Sequence, residues 1–480
     1  METSPKKKYL GVFQLIMIAV VSVDSLRNLP IGAQYGLSLV TLYAFAGLAF
    51  FLPLAWTTSQ LAVRFPKIGG SYVWVEAAFG KSLGYLSIWL QWTYNIIWYP
   101  TIFAFISSTI LALLAPGMES NRWLILLICT SMFWLITFAH SFGLRATSWI
   151  SAVSAIIGTL VPMSLMIAFA GYWLWSGAPS ATPLSWHGLV PGSETFNNMA
   201  YFSNILFSLL GLEVIAMHAG NVKDPQTSYP RAVMSGAIII LSTLMLSSLA
   251  LCIVIPPGKI VLLSGIMDVF NLFFASYHFP LGASVIGWCI VLGGVGIASS
   301  WMIGLARGLH VALASARLFK PLLKLNKNGV PMNVLYFQGI TYSVLLSAFV
   351  LMPNVNNSYW LLSALSAQFA LLYYVLLFAA AIKLLSSVPQ SRFNASLKYF
   401  LPASGGVISL IGVMVGFIPP SNVNASDVFQ YEMFMVISLI AFCIIPLMVL
   451  RRRHAKLSLL DESGLSSDFV EPAQLETENI

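Results

Sequence analysis

The chain has 480 residues, 58% of them hydrophobic and only 8% charged, with a formal net charge of +8. A soluble domain uses about 25% charged residues to cover its surface, so the composition excludes a water-soluble protein however many domains it had. Nor does the positive charge call for a nucleic-acid partner, because basic loops beside anionic lipid headgroups account for it.

Apolar runs long enough to cross roughly 30 Å of hydrocarbon recur along the chain, and in lipid such runs must be helical to satisfy their own backbone. A β-barrel would need alternating segments, and runs such as Leu241–Ile255 do not alternate. Twelve spans are expected, at 10–34, 38–63, 83–114, 123–143, 147–176, 196–219, 231–256, 281–307, 333–352, 358–384, 400–418 and 430–450. The first follows Lys6, Lys7 and Lys8 but contains Asp24 and Arg27 and leads into further spans, so it is a retained helix rather than a signal peptide.

Basic residues fix the expected orientation. Lys6–Lys8, Arg64, Lys67, Lys81, Arg145, Lys223, Arg231, Arg317, Lys320, Lys324, Lys327, Arg392, Lys398, Arg451–Arg453 and Lys456 fall on one side. The opposite loops hold Arg122 and Lys259. Both termini are therefore expected in the cytoplasm. The expected divisions are a cytoplasmic segment 1–9, a first repeat 10–195, a second repeat 196–384, helices eleven and twelve in 385–450, and a disordered tail 451–480. Cys129, Cys252, Cys289 and Cys443 all lie in apolar runs, with neither disulfide nor metal-ligand spacing, and no cofactor is implied.

Two spans carry features that are costly in lipid. Span one reads Val23-Asp24-Ser25-Leu26-Arg27-Asn28-Leu29-Pro30. A central Asp or Arg costs roughly 2.5–3.5 kcal/mol on insertion scales, and Pro30 removes a helix hydrogen bond and disfavours helical geometry at Leu29. An interrupted helix lining a cavity follows, although Asp24 and Arg27, three residues apart, would equally serve to neutralise each other. Span six reads Phe207-Ser208-Leu209-Leu210-Gly211-Leu212-Glu213, with a mid-span acid and a permissive glycine. Glu213 is either a buried carboxyl bonded to a neighbouring helix or a proton-coupling group.

Breaks in spans one and six are the spacing of two five-helix repeats, and inverted repeats with broken helices point to a midplane transporter site. Half-helix N-termini suit a carboxylate and half-helix C-termini an ammonium; an amino acid presents both. Gly293, Gly294 and Gly296 suit close helix packing. On composition alone Tyr99, Trp301 and Tyr374 read as packing aromatics, and His140 and His218 as solvated or capping residues at helix ends.

Arg64-Phe65-Pro66-Lys67-Ile68-Gly69-Gly70-Ser71-Tyr72-Val73-Trp74, then Gly211-Leu212-Glu213 with Asn221-Val222-Lys223-Asp224-Pro225, resemble the amino acid–polyamine–organocation superfamily. Ile255-Pro256-Pro257-Gly258-Lys259-Ile260, and Ser300-Trp301 through Asn326-Lys327-Asn328-Gly329-Val330-Pro331, resemble its glutamate/GABA antiporter branch. The resemblance covers residues 9–450 and implies an all-α, LeuT-like five-plus-five inverted repeat with two extra helices, working by alternating access. It implies a substrate site at Val23, Asp24, Ser25, Arg27, Asn28, Tyr99, Phe207, Leu209, Gly211, Trp301 and Tyr374, with Phe207 and Trp301 as gating aromatics. Glu213, Ser299 and Ser300 are the coupling candidates, the two serines as hydroxyls for sodium.

The sequence departs from the superfamily where Val23-Asp24-Ser25 replaces a Gly-Ser-Gly type motif, and where Ala152 replaces the lysine of sodium-independent carriers. Arg27 and Asp24 are candidates to meet the substrate carboxylate and ammonium directly.

The expected function is secondary transport of an amino acid, by exchange with glutamate or GABA as first substrates, in a bacterial inner membrane. A proton- or sodium-coupled symporter and a transporter-like amino acid sensor are the alternatives. An enzyme would want a clustered nucleophile or metal site, and none is evident. The sequence assigns no oligomeric state.

Overall fold

In the computed structural model of the protein, residues 11–65, 71–143, 156–215, 222, 224–279, 281–315, 318–347, 349, 355–387, 395–419 and 428–462 are described. Every element assigned among them is helical. Apart from short turns of helix at Trp186–Leu189, Ser193–Asn197, Pro257–Lys259 and Lys320–Leu323, they are in chain order α1 (Val12–Val23), α2 (Leu26–Ala33), α3 (Gly36–Arg64), α4 (Ser71–Phe79), α5 (Lys81–Leu114), α6 (Arg122–His140), α7 (Ile156–Trp175), α8 (Ala200–Ser208), α9 (Pro225–Val254), α10 (Gly265–Ser276), α11 (Leu281–Ser315), α12 (Met332–Leu345), α13 (Val355–Ser386), α14 (Ala395–Val415) and α15 (Val428–Glu462).

Among the described residues nine helices are long and apolar enough to cross a membrane, or ten if α1 and α2, bent by 41° at their junction, count as one. The described helices of expected spans six and nine are α8 and α12, and the C-terminal parts of 196–219 and 333–352 lie largely outside the described residues. The short helices α4 and α10 lie between the expected spans. α15 runs on to Glu462, into the stretch expected to be tail. From Arg451 to Glu462 no glycine or proline interrupts a run rich in good helix formers, and the first glycine is Gly464.

α5 is the centre of the bundle. Of its most apolar eighteen residues 83% are buried, against 17% for α15 at the periphery. It packs against α13 on one side and α11 on another. Large apolar side chains such as Leu48, Leu135, Ile238, Leu292 and Met414 face outward. That pattern would be an aggregation hazard in water, and it is the requirement in lipid. The interior, conversely, encloses Asp24, Arg27, Gln91, Asn95, Glu213, Gln338 and Gln368.

α7 and α11 meet backbone to backbone. A Cβ placed on Gly293 would lie 2.6 Å from the Gly158 Cα and 2.7 Å from its carbonyl carbon. Small residues allow this approach where lipid provides no hydrophobic drive for helix association. Replacing Gly293 by leucine is expected to destabilise the protein by about 1–3 kcal/mol, the range for overpacking. Detergent-solubilised Gly293→Leu with an unchanged melting temperature would refute the contact.

Candidate functional site

The first span is broken at Asp24 and Ser25. The last bond of α1 runs from the Asp24 N–H to the Val20 carbonyl at 2.8 Å. Asp24 (φ −62°, ψ 126°) and Ser25 (φ −148°, ψ 122°) are then extended, and Leu26–Asn28 forms a single tight turn opening α2. Pro30 is not the cause. Leu29 is helical (φ −61°, ψ −44°), and Pro30 sits in the first turn of its segment, where a missing N–H is tolerated. The interruption leaves Val21–Val23 carbonyls at one half-helix end and Ser25 and Leu26 N–H groups at the other, outside the intrahelical ladder.

The second break follows α8. Gly211 has φ +116°, a conformation that side chains oppose. A Cβ there would lie 2.9 Å from the Ser22 carbonyl oxygen and 3.5 Å from Trp301 Cζ2. The two breaks thus touch, carbonyl end of α1 against the glycine after α8. Tyr374 of α13 closes the arrangement: its hydroxyl accepts from the Gly211 N–H at 3.0 Å and donates to Glu213 Oε2 at 2.5 Å. Glu213 Oε1 has no hydrogen-bond partner among the described residues.

Asp24 and Arg27 do not neutralise each other. Both are buried. The Asp24 carboxylate oxygens lie 3.2 and 3.0 Å from Thr243 Oγ1 on α9. That hydroxyl is also 2.9 and 3.0 Å from the Ile239 and Ile240 carbonyls, so one proton is shared among four acceptors. Arg27 turns to α5 and α13, where Nη1 donates to Thr101 Oγ1 (2.8 Å) and Ser363 Oγ (3.1 Å). Its Cζ lies 5.9, 5.7 and 5.7 Å from the ring centroids of Trp98, Phe207 and Tyr359, within cation–π range. Nε and Nη2 have no hydrogen-bond partner among the described residues.

A cavity of ≈ 440 Å³, mouth included, opens at the breaks. Helix one lines it with Ser22, Val23, Asp24, Ser25 and Asn28, and α5 with Tyr94, Asn95 and Trp98. Phe207 and Leu210 come from the α8 break, and Ile297 and Trp301 from α11. Val23, Asp24, Ser25, Asn28, Phe207 and Trp301 are therefore brought together as the sequence suggested. Arg27, Tyr99, Leu209, Gly211 and Tyr374 are near but are not lining residues. Tyr99 turns to Phe133 of α6, with ring centroids 5.8 Å apart.

The α5 wall was missed, though its signal was present. Gln91, Thr93 and Asn95 put polar groups mid-span, and Trp98 lies four residues after Tyr94 and three after Asn95, on the same helical face as each.

The sodium candidates diverge. Ser300 is exposed on α11, and the buried Ser299 Oγ is 3.3 Å from His140 Nε2. His140 is accordingly buried rather than solvated. His218 and Ala152 lie outside the described residues, as do parts of both loop motifs. Among the described residues no cluster of three metal-ligating side chains occurs.

The profile of the amino acid permease family matches residues 10–443. The chain belongs to that family. An uncharacterised transporter of Legionella pneumophila is 42% identical over 463 residues, 94% of this permease and 98% of its own length. A glutamate/gamma-aminobutyrate antiporter of Lactococcus lactis is 24% identical over 92% of the permease and 90% of itself. A probable agmatine/putrescine antiporter of the same species is 26% identical over 84% and 86%. The permease is thus a multi-pass membrane protein of amino acid transport or exchange, and not an enzyme.

Two substitutions test the joint between the breaks. Gly211→Ala combines strained φ with a close backbone contact and is expected to cost about 1–3 kcal/mol, read as a lowered melting temperature. Tyr374→Phe leaves the Gly211 N–H and Glu213 Oε2 unpaired, about 1–3 kcal/mol each if buried. Its expected signature is lost stability together with impaired transport, and a fully active, equally stable Tyr374→Phe would show that the hydroxyl does not hold the break.

Proposed function

We propose that this permease is a secondary active amino acid exchanger working by alternating access, with the cavity between the two helix breaks as its substrate site. The observation that carries the reading is the contact of the breaks at Ser22 and Gly211, beside a cavity lined by Asp24 and Ser25. The Ser25 and Leu26 N–H groups, at the positive end of a half-helix, are suited to an α-carboxylate. Asp24, with a quarter share in one hydroxyl proton, and the carbonyl end of α1 are suited to an ammonium. Glutamate and GABA are the substrates to test first, on the likeness to the Lactococcus lactis antiporter named for them.

The reading includes a twelve-span, five-plus-five inverted architecture with both termini in the cytoplasm of a bacterial cell. In it α1–α2 and α8 open the two repeats, α14 and α15 follow them, and Phe207 and Trp301 gate the site. A proton-coupled symport is the second reading, favoured by the buried Glu213–Tyr374 pair with its unpartnered Oε1.

Counterflow in proteoliposomes distinguishes them. External labelled glutamate is offered to vesicles loaded with glutamate, GABA or buffer. Exchange requires uptake only into loaded vesicles; uptake into empty vesicles driven by a pH gradient favours symport, and no uptake of any amino acid sinks both. Asp24→Asn and Glu213→Gln are each expected to lower the exchange rate about tenfold or more, the scale of a lost charge-assisted hydrogen bond, while remaining folded. Normal uptake by both would place the site elsewhere.

A further inference from the structure

Arg27 is a buried cation whose two acceptors are neutral hydroxyls. Burying an ion is costly unless an opposite charge compensates it, and two hydroxyls and three ring faces supply only part of that. The atoms left over are informative. Nε and Nη2 share one edge of the planar guanidinium, the side-on edge that takes a carboxylate with two parallel bonds. Nη1, at the other edge, is the atom held by Thr101 and Ser363. The fork is therefore anchored at one edge and unpartnered at the other.

The location completes the argument. Trp98 and Phe207 line the cavity and also lie over the guanidinium. Arg27 stands behind a wall of two rings, and Asn28, its chain neighbour, is on the cavity side. For a substrate group to reach Arg27, the Phe207 ring must turn aside.

We infer that Arg27 is the specificity residue for a second, distal carboxylate, making this a site for amines that carry an ω-carboxylate. The inference rests on the amino acid reading given above and names the substrate class of the same cavity. GABA is glutamate without its α-carboxylate; the two share an amine and a carboxylate separated by three carbons. Asp24 takes the shared amine and Arg27 the shared carboxylate, while the N–H groups after the break serve the α-carboxylate that glutamate alone carries. An exchanger built this way accepts an amino acid and its α-decarboxylated product on one set of charged contacts.

The test is ligand-induced thermal stabilisation of the purified full-length protein, titrated with glutamate against glutamine and with GABA against 4-aminobutanamide. Each amide matches its acid in size and lacks the distal charge. Wild-type protein is expected to bind each acid about ten- to a hundredfold more tightly than its amide, the worth of a charge-assisted bidentate pair. Arg27→Gln is expected to bring each pair to within about threefold, and ligand-free Arg27→Gln to melt no lower than wild type, because an uncompensated buried charge has been removed.

A purely structural Arg27, tying α2 to α5 and α13, gives the opposite: a lower melting temperature and an unchanged acid preference. That result overturns the inference, as does a wild-type protein stabilised equally by acids and amides or by none of the four. If Arg27→Gln does not yield folded protein, Arg27→Lys decides, since it keeps the charge without the fork. It is expected to lose about tenfold of the acid preference, and an undiminished preference overturns the inference. Counterflow separates the two readings. Acid-selective binding without exchange removes the transport reading and keeps Arg27's role. Exchange indifferent to the distal charge does the reverse.

Discussion

A helix interrupted inside a bilayer frees backbone N–H and C=O groups that lipid cannot hydrogen-bond, and this permease has two such interruptions facing one another. The Ser22 carbonyl comes so close to Gly211 that no side chain fits there. The Gly211 N–H finds the Tyr374 hydroxyl, which in turn satisfies one oxygen of Glu213. Much of the interior follows from that joint. α13 must pass close enough to present Tyr374, and residue 211 must be one that tolerates a positive φ.

The same constraint separates the two charges of helix one. Had the helix run on regularly, Asp24 and Arg27 would lie one turn apart on a common face. Extending the backbone at Asp24 and Ser25 sends the carboxylate to Thr243 and the guanidinium to Thr101 and Ser363. One broken turn thus creates a negative and a positive site from residues that would otherwise cancel. Ionisable side chains inside a membrane are costly, which is what makes these two the candidates for function.

The class of fold was legible because composition and span length are set by the bilayer, and most span limits lie within a few residues of the observed helices. The breaks were legible because Asp24, Arg27 and Gly211 are expensive or permissive residues where an ordinary span has neither. Their cause was less so. Pro30 drew attention, yet it occupies a tolerated first-turn position while the extended residues lie at Asp24 and Ser25. On α5 the aromatic Tyr99 was favoured over Tyr94, Asn95 and Trp98, because a span buried on every side has no apolar stripe to show which face meets the cavity. Ser299 and Ser300 looked like a pair only in one dimension; consecutive helical residues point about 100° apart.

The junction of Gly158 and Gly293 has a mechanical corollary. Helices that mesh through side chains resist sliding, since each knob must climb out of its groove. Where bare backbone rests on bare backbone there is nothing to climb, so α7 can swivel on α11 about that point with little loss of contact. Of all points along the two helices, this is where a turn of one against the other would meet no side chain.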